Sequence, residues 1–194
     1  LYRDRRLMAK GESKLFLVKL DSSLGFLWSK TLACTGTLDK PRLGRFGDGT
    51  LVLGGAFSGS LDTEIGKYVS LAEKDLFLGR INELSGSISW LKRFGGSGDD
   101  SLRALAVSAN YAYLGGVVKK TGYEEYSFVF ELDKDGVAVS SLGLKGMHKN
   151  EVVDLAVSTD AIYALGSFEG SLISGDATLS SAGPSPYVLS LQPG

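Results

Sequence analysis

Phe128-Val129-Phe130-Glu131-Leu132-Asp133 is one copy of a short motif that recurs along this chain of 194 residues. The other copies are Leu15-Phe16-Leu17-Val18-Lys19-Leu20-Asp21, Leu76-Phe77-Leu78-Gly79-Arg80-Ile81-Asn82 and Tyr187-Val188-Leu189-Ser190-Leu191. Anchored on Leu20, Ile81, Leu132 and Leu191, one copy follows another after roughly 50–60 residues. A period of this length is typical of a repeat architecture, so the recurrence decides the fold.

Other motifs keep the same register. Leu105-Ala106-Val107 returns in the next copy as Leu155-Ala156-Val157, and Trp28 and Trp90 share a repeat position to within one residue. The pattern predicts a single repeat domain over residues 1–194, with copies at about 15–75, 76–127 and 128–186 and a partial copy at 187–194. A Leu-Gly motif recurs at the same intervals as Leu53-Gly54-Gly55-Ala56-Phe57, Leu114-Gly115-Gly116-Val117-Val118 and Leu165-Gly166-Ser167-Phe168.

Each copy divides into four short apolar segments separated by Gly, Asp, Asn and Ser, which is typical of strands and turns. Asp133-Lys134-Asp135-Gly136 is predicted to be a tight hairpin turn, with Gly86 and Gly25 at the equivalent place, where a positive φ favours glycine. No stretch holds a helical period for three turns. In the middle copy the predicted strands are 101–108, 112–118, 128–133 and 137–144.

Four antiparallel strands in a repeat of this length are typical of a β-propeller blade. We therefore predict an all-β, β-propeller-like fold with about three and a half repeats. Propellers typically close with four to eight blades, so three and a half repeats would not close by themselves. An open arc would leave two apolar faces exposed to water. It would be a piece of a larger propeller, be completed by a second chain, or form an open arc with altered ends.

The motifs also resemble the bacterial SBBP-type β-propeller repeat family. The match is carried by Trp90-Leu91-Lys92-Arg93-Phe94-Gly95-Gly96-Ser97-Gly98-Asp99-Asp100, by Leu105-Ala106-Val107, and by Ile162-Tyr163-Ala164-Leu165-Gly166-Ser167-Phe168-Glu169-Gly170. The resemblance covers about residues 14–191 and implies a propeller, with an extracellular or cell-surface location. The first copy departs from the pattern at Leu43-Gly44-Arg45-Phe46, and the third copy lacks the tryptophan and the Gly-Asp-Asp.

Composition excludes several classes of function. Twenty-one basic residues against twenty-two acidic ones give a net charge of −1, without the basic field of a nucleic-acid or membrane-surface binder. A single cysteine excludes an internal disulfide framework, and a single histidine excludes multi-histidine metal sites. No apolar run is long enough to cross a bilayer, so no membrane insertion is predicted. The chain does not begin with Met, and we interpret it as a fragment or a processed piece.

The Gly-rich stretch that ends in Asp99 and Asp100 suggests two alternatives. Adjacent carboxylates and loop carbonyls are ligands that Ca²⁺ prefers, so both residues are weak calcium candidates. Alternatively, the stretch is a turn in which Asp99 or Asp100 caps backbone N–H groups. No other cofactor is predicted. Asp133 to Gly136 resembles the start of an EF-hand, but Val137 and Leu144 fall where that loop needs oxygen ligands, which favours the hairpin.

Other candidate residues are weaker. His148 lies in a polar loop without a catalytic partner, and Cys34 is interpreted as a strand or turn filler, with a reactive thiol as the alternative. Trp28 and Trp90 would either line a sugar-binding groove or pack between sheets. The first place to look for a partner contact is the loop 119–126, whose aromatic and acidic residues are Tyr123, Glu124, Glu125 and Tyr126.

The function that this pattern favours is a non-enzymatic interaction module, in which a rigid sheet scaffold presents variable loops to a protein or glycan partner. One alternative is a propeller hydrolase or lyase, which would need acidic, His or Arg residues at matching places on successive blades. Another is a structural subunit completed by a second chain or by the rest of a larger propeller.

Overall fold

The computed structural model describes residues 13–119, 126–146 and 149–192. Strands account for 72% of the structure and the described residues contain no helix, which confirms the all-β class. The same residues therefore include no helix that could cross a membrane. The strands are β1 (Ser13–Leu20), β2 (Phe26–Cys34), β3 (Leu38–Arg45), β4 (Leu51–Phe57), β5 (Ser60–Thr63), β6 (Gly66–Val69), β7 (Asp75–Ile81), β8 (Ile88–Phe94), β9 (Ser101–Val107), β10 (Tyr111–Val118), β11 (Tyr126–Asp133), β12 (Ala138–Gly146), β13 (Asn150–Val157), β14 (Ile162–Ser174) and β15 (Ala177–Leu191).

All the strand pairs of these sheets are antiparallel. Sheet I has the order β1-β2-β5-β6, and sheet II has the order β3-β4-β7-β8. A seven-stranded sheet contains the rest, and we call its β9-β10-β11-β12 part sheet III and its β13-β14-β15 part sheet IV. Within the described residues, the two parts are joined by a short pairing of β12 with β14, at Lys145↔Ile173 and Gly146↔Leu172. Because β13 also packs next to β9, the seven-stranded sheet curls back and is nearly closed.

The predicted strands of the middle copy are confirmed, since each overlaps one strand of sheet III. Each sequence repeat contributes to two sheets: residues 76–127 supply β7 and β8 of sheet II and β9 and β10 of sheet III. We call β3, β9 and β13, the first strands of sheets II, III and IV along the chain, the inner strands. The hairpin β5–β6 was not predicted. It leaves sheet II and pairs with β2 of sheet I, at Ala33↔Asp62 and Cys34↔Leu61. The pairing of β14 with β12 repeats this arrangement between sheets IV and III.

Three apolar clusters hold the sheets together, one between each pair of consecutive sheets. The same repeat positions fill all three clusters. Phe77 packs toward sheet I, and its equivalents Phe128 and Tyr187 pack toward sheets II and III. On the opposite face, Leu78 packs toward sheet III and its equivalent Val129 packs toward sheet IV. The period-2 alternation of strands explains this, because adjacent residues face opposite neighbours.

The hairpin turn at Asp133 is confirmed. The Asp133 N–H donates to the Val137 carbonyl (3.0 Å), the Gly136 N–H donates to the Asp133 carbonyl (2.9 Å), and Gly136 has a φ of 69°. Gly86 also has a positive φ, of 72°. The prediction for Gly25 is wrong, because the positive φ at that turn belongs to Leu24, at 63°. Leu24 donates to the Asp21 carbonyl as Gly136 does to Asp133, so Gly25 takes the place of Val137.

The Leu-Gly motif of the last copy is also out of register by one residue. Leu114 pairs with Leu105, whereas Ala164, not Leu165, pairs with the equivalent Leu155. The structural equivalent of Leu114 is therefore Ala164, and Leu165 points to the face opposite to the one that the motif predicts. Strand pairing determines which face each side chain occupies, because a one-residue slip moves a side chain to the other face of the sheet.

Both tryptophans pack against a turn of the following sheet. Of the two predicted roles, this is packing between sheets and not the lining of a sugar-binding groove. The Trp28 Nε1–H donates to the Glu83 carbonyl, and the Trp90 Nε1–H donates to the Lys134 carbonyl, both at 3.0 Å. Gly86 lies against the Trp28 ring in the first contact. Gly136 lies against the Trp90 ring in the second, where an added Cβ would come within 2.8 Å of the indole. The repeat thus builds the same contact twice.

Candidate functional site

A polar cleft lies where the inner strands of sheets II, III and IV begin. Its volume is about 290 Å³. Because β3, β9 and β13 lie side by side, residues far apart in sequence meet at this end of the molecule. Among the described residues, Val117 is the one apolar member of the lining, which otherwise consists of Asp39, Lys40, Lys74, Asp99, Ser101, Arg103, Lys119, Lys149, Asn150 and Glu151.

A β-bulge interrupts each of the three inner strands near the cleft. The register shifts between Asp39 and Arg42 in β3, around Arg103 in β9, and around Val153 in β13. Bulges re-aim side chains and are over-represented next to active sites. Lys40, inside the first bulge, has a φ of 48°, which is an uncommon conformation for a residue other than glycine. The repeat therefore gives each inner strand an irregularity at the cleft.

Several basic side chains lie in or next to the cleft. The Arg42 guanidinium donates from Nε (3.1 Å) and Nη2 (2.8 Å) to the carbonyl of Arg103, the bulged residue of the next strand. Lys40 Nζ donates to Ser101 Oγ at 3.2 Å. Burial lowers the pKa of Lys40, and the positive charges of Arg103, Lys74 and Arg42 lower it further, although Asp39 opposes this.

Three acidic residues of the lining offset part of this charge. Lys74 Nζ lies 3.8 Å from Asp39 Oδ2 and 3.4 Å from Asp99 Oδ1, and Arg103 Nη2 lies 3.6 Å from Glu151 Oε2. The Lys74–Asp99 contact is close enough for an ion pair but lacks hydrogen-bond geometry. In the part of the lining that the structure describes, five basic residues against three acidic ones give an excess of positive charge.

Two buried donors at the cleft lack an acceptor within the described residues. They are Arg103 Nε and Asn150 Nδ2. Asn150 is almost completely buried, and its Oδ1 accepts from the Ser127 N–H at 2.9 Å and from the Ser127 hydroxyl. Its amide orientation is therefore fixed by two donors on the oxygen, and the nitrogen is left over. Buried polar groups are normally hydrogen-bonded, so each of these donors calls for a partner.

Asp100 caps backbone groups beside the cleft. Its Oδ1 accepts from the Lys119 N–H and its Oδ2 accepts from the Gly96 N–H, both at 3.2 Å. Burial raises the pKa of Asp100 to about 6, and the charges of Asp75 and Asp99 contribute to the increase. Asp75 is also buried and binds Arg93 Nη1 at 2.6 Å. The capping alternative of the sequence analysis is therefore seen for Asp100.

Calcium binding at Asp99 and Asp100 stays a prediction. Within residues 13–119, 126–146 and 149–192, no group of three or more His, Cys, Asp or Glu side chains is placed to hold a metal ion. Asp75 and Asp100 both approach the backbone of Gly95, where a Cβ would come within 2.4 Å of Asp75 Oδ1 and within 2.5 Å of Asp100 Oδ2. The two carboxylates therefore lie against the loop between β8 and β9 and leave no room for a side chain at Gly95.

Most of the predicted partner loop lies outside the described residues, including Tyr123, Glu124 and Glu125. His148, a separate candidate, also lies outside them. Tyr126 begins β11 and is partly exposed. Lys119, the first residue of that loop, lines the cleft. Cys34 is buried, and its thiol lies 2.9 Å from the Ser58 carbonyl. Burial raises the pKa of this thiol, as expected for a packing residue.

Sequence reasoning missed Lys40, Arg103 and Asn150. The signal was present in the repeat spacing, since Asp39, Asp100 and Asn150 follow one another at the repeat intervals and each comes at the beginning of an inner strand. What the spacing alone does not reveal is that these strand ends converge. The chain matches no family model, and no curated protein matches its sequence.

Proposed function

We propose that the chain is a segment of a β-propeller-type repeat scaffold and a non-catalytic interaction module, which binds a protein or glycan partner at the cleft end. The observation that carries the proposal is the cleft itself, formed by successive inner strands at equivalent places. A rigid stack of sheets with polar residues at one end suits binding better than scattered surface residues do. The loop 119–126, with Tyr123, Glu124, Glu125 and Tyr126, is proposed to contribute to the same end.

The propeller interpretation is supported by the way in which the sheets stack. Each sheet contacts the next through the same repeat positions, and the inner strands β3, β9 and β13 are neighbours. The β5–β6 hairpin and the extension of β14–β15 each reach back to the preceding sheet. Blades arranged around an axis would produce all three features.

The partner at the two end faces is proposed to be further sheets of the same repeat. Phe16 is 40% exposed in sheet I, whereas its equivalent Phe77 in sheet II is 0% exposed. At the other end, Tyr163 and Val188 of sheet IV are 43% and 66% exposed, whereas the equivalent Tyr113 and Val129 are 1% and 4% exposed. Since these positions receive a neighbouring sheet inside the stack, the same type of sheet fits them at the ends.

Binding at the cleft end is tested by probing glycan and peptide arrays with the wild-type chain and two variants. Arg103→Gln changes the cleft, and Lys134→Gln changes a turn at the opposite end of sheet III. We expect ligands that bind the wild type to be lost with Arg103→Gln and kept with Lys134→Gln. Absence of binding by the wild type, or equal loss in both variants, would contradict the proposal.

The end faces are tested by sedimentation over a range of protein concentrations. We expect the chain to associate through these faces, and Leu20→Ser together with Val188→Ser to reduce the association, because both residues are exposed and apolar. The matched control is Ser180→Ala, on an exposed part of β15. A monomer at all concentrations, or unchanged association in the double variant, would contradict the proposal.

A second candidate function, a hydrolase, is favoured by one contact. Lys40 Nζ and Ser101 Oγ are 3.2 Å apart, and a lysine of lowered pKa beside a serine is a known nucleophile arrangement. A fluorophosphonate probe tests this candidate directly. Stoichiometric labelling that is lost in Ser101→Ala would support a hydrolase, and absence of labelling in the wild type would rule against this serine.

A further inference from the structure

We propose that the cleft between β3, β9 and β13 is a binding site for a carboxylate group of a small polar ligand, with Arg103 and Asn150 as its principal donors. This inference rests on the proposed function, since it names the chemistry that the same end of the molecule recognises. A carboxylate occurs both in acidic sugars and in acidic peptide side chains, and the cleft chemistry is common to the two sources.

The first argument is the pair of buried donors. Arg103 Nε and Asn150 Nδ2 both belong to residues of the cleft lining, and neither donates to an atom of the described residues. Exchanging the oxygen and nitrogen of the Asn150 amide would not give Nδ2 an acceptor, because the present oxygen accepts from the Ser127 N–H and hydroxyl. Both donor atoms lie beneath the surface of the cleft, so a ligand reaches them only when the side chains over them move. A ligand that brings acceptor oxygens then satisfies them, which a cation or an apolar ligand does not do.

The second argument is the charge of the lining. Basic residues outnumber acidic ones by five to three among the described residues of the lining; they are Lys40, Lys74, Arg103, Lys119 and Lys149. The guanidinium of Arg42 adds a further positive charge behind Arg103, whose carbonyl it binds. A ligand anion is therefore attracted to the site, and charge-assisted hydrogen bonds are stronger than neutral ones.

The acidic residues select among anions. Asp39, Asp99 and Glu151 line the same cleft, so a dianionic phosphate would meet more repulsion than a singly charged carboxylate. Their oxygens also accept hydrogen bonds, which suits ligand hydroxyl or amide groups next to the carboxylate. Arg103 Nη2 lies 3.6 Å from Glu151, which leaves this ion pair open to competition by a ligand carboxylate.

The size of the cleft and the lack of aromatic residues in its lining limit the ligand further. A volume of about 290 Å³ is at the low end for small-molecule sites, so it accommodates a single sugar or amino-acid unit. No aromatic ring of the described residues lines the cleft, so stacking on a neutral sugar face does not contribute. Recognition depends on charge and hydrogen bonds.

The experiment is an NMR titration of the ¹⁵N-labelled chain, with the side-chain Nε–Hε signal of Arg103 and the Nδ2 signals of Asn150 as readouts. The probes are galacturonate, galactose, N-acetylglutamate and inorganic phosphate. We expect one or both carboxylates to shift these signals with a millimolar Kd that weakens with salt, and galactose to leave them unchanged. Tighter binding of galacturonate would identify an acidic sugar as the source of the carboxylate, and tighter binding of N-acetylglutamate would identify an acidic peptide side chain.

Variants of three cleft residues test the site. Arg103→Gln should weaken binding by about tenfold or more, since it removes a charged donor. Lys149→Gln, at an exposed position of the rim, should weaken binding severalfold without affecting folding. Glu151→Gln should tighten binding, because it frees Arg103 from its ion pair. Lys67→Gln, on β6 outside the cleft, is the control and should bind as the wild type does.

The inference is overturned by unshifted signals with both carboxylates, by tighter binding of phosphate, or by equal binding to galactose. It is also overturned when neither Arg103→Gln nor Lys149→Gln weakens binding. Because the titration reads the cleft directly, its failure is distinct from that of the interaction module, which depends on array ligands lost with Arg103→Gln but kept with Lys134→Gln.

Discussion

Sheets I and II carry similar side chains at equivalent repeat positions, yet they differ in what covers them. Phe16 and Leu20 of sheet I are exposed, whereas the equivalent Phe77 and Ile81 of sheet II are buried. Both pairs are large apolar residues at equivalent positions of equivalent strands, β1 and β7. Among the described residues, only sheet II has a neighbouring sheet on that side, and β7 lies between two strands whereas β1 is an edge strand. Exposure is therefore a property of the stack, and an apolar position in a repeat does not become a core position until the next sheet is present.

The largest effect is expected from truncating the two equivalent phenylalanines. Phe77→Ala should lower the free energy of unfolding by about 3–5 kcal/mol, because it leaves a cavity between sheets I and II. Phe16→Ala should cost less than about 1 kcal/mol, since its ring is partly in water. Denaturant unfolding measures both. Equal losses would show that the end face of sheet I is covered, and would break the comparison.

The next effect concerns Asp100 and Asn150, which occupy equivalent places in sheets III and IV. The pKa of Asp100 is raised to about 6, so the folded state binds an extra proton between about pH 4 and pH 6. Stability should therefore fall as the pH rises through this window, by up to about 3 kcal/mol. Asp100→Asn should flatten the fall, as thermal melts across the window would show.

The control for Asp100 is Asp176→Asn, in the exposed turn between β14 and β15. This variant should keep the pH dependence of the wild type. A wild-type stability that is constant between pH 4 and pH 6 would mean that the Asp100 carboxylate is stabilised by more than its two backbone N–H donors, against the burial described above.

A smaller effect is expected at the hairpin turn of sheet III. Gly136→Ala should lower the free energy of unfolding by about 2 kcal/mol, because a positive φ disfavours a side chain and the new Cβ would press on the Trp90 ring. Trp90 fluorescence should report the local change. A neutral outcome would indicate that the Trp90 contact adjusts without cost.

The smallest effect is expected at the matching turn of sheet I. Leu24→Gly should raise the free energy of unfolding by less than about 1 kcal/mol, since glycine relieves the positive φ but loses more entropy on folding. Calorimetry of this variant beside Gly136→Ala compares the two turns. A clear loss of stability would mean that the Leu24 side chain contributes packing at the end face.

Local features were predictable from the sequence, and the reasons are local as well. The strands of the middle copy follow from alternation and turn residues, and the Asp133 hairpin follows from its Asp and Gly. The misplacements at Gly25 and Leu165 are each one residue. In both, the position of a glycine in the motif predicts the wrong register, because the register is set by the hydrogen bonds of Asp21 and by the pairing of β13 with β14.

The cleft and the cross-sheet hairpins were not predictable in this way. The β5–β6 hairpin pairs with β2, a strand of the preceding sheet, and nothing in residues 60–69 specifies that partner. Arg103 and Asn150 become a candidate site only because their strand ends meet. Likewise, the raised pKa of Asp100 comes mainly from burial, with contributions from Asp75 and Asp99. Asp99 is part of the Gly-rich stretch, but the burial and the approach of Asp75 are not encoded there.

The sequence by itself determined the period, the strands and the turns, because alternation and turn chemistry act over a few residues. Only the tertiary structure decided which sheet faces are covered, which strand ends form the polar cleft, and which buried donors lack an acceptor. These are long-range properties, since burial and electrostatic fields depend on the elements that pack together and not on the neighbours along the chain.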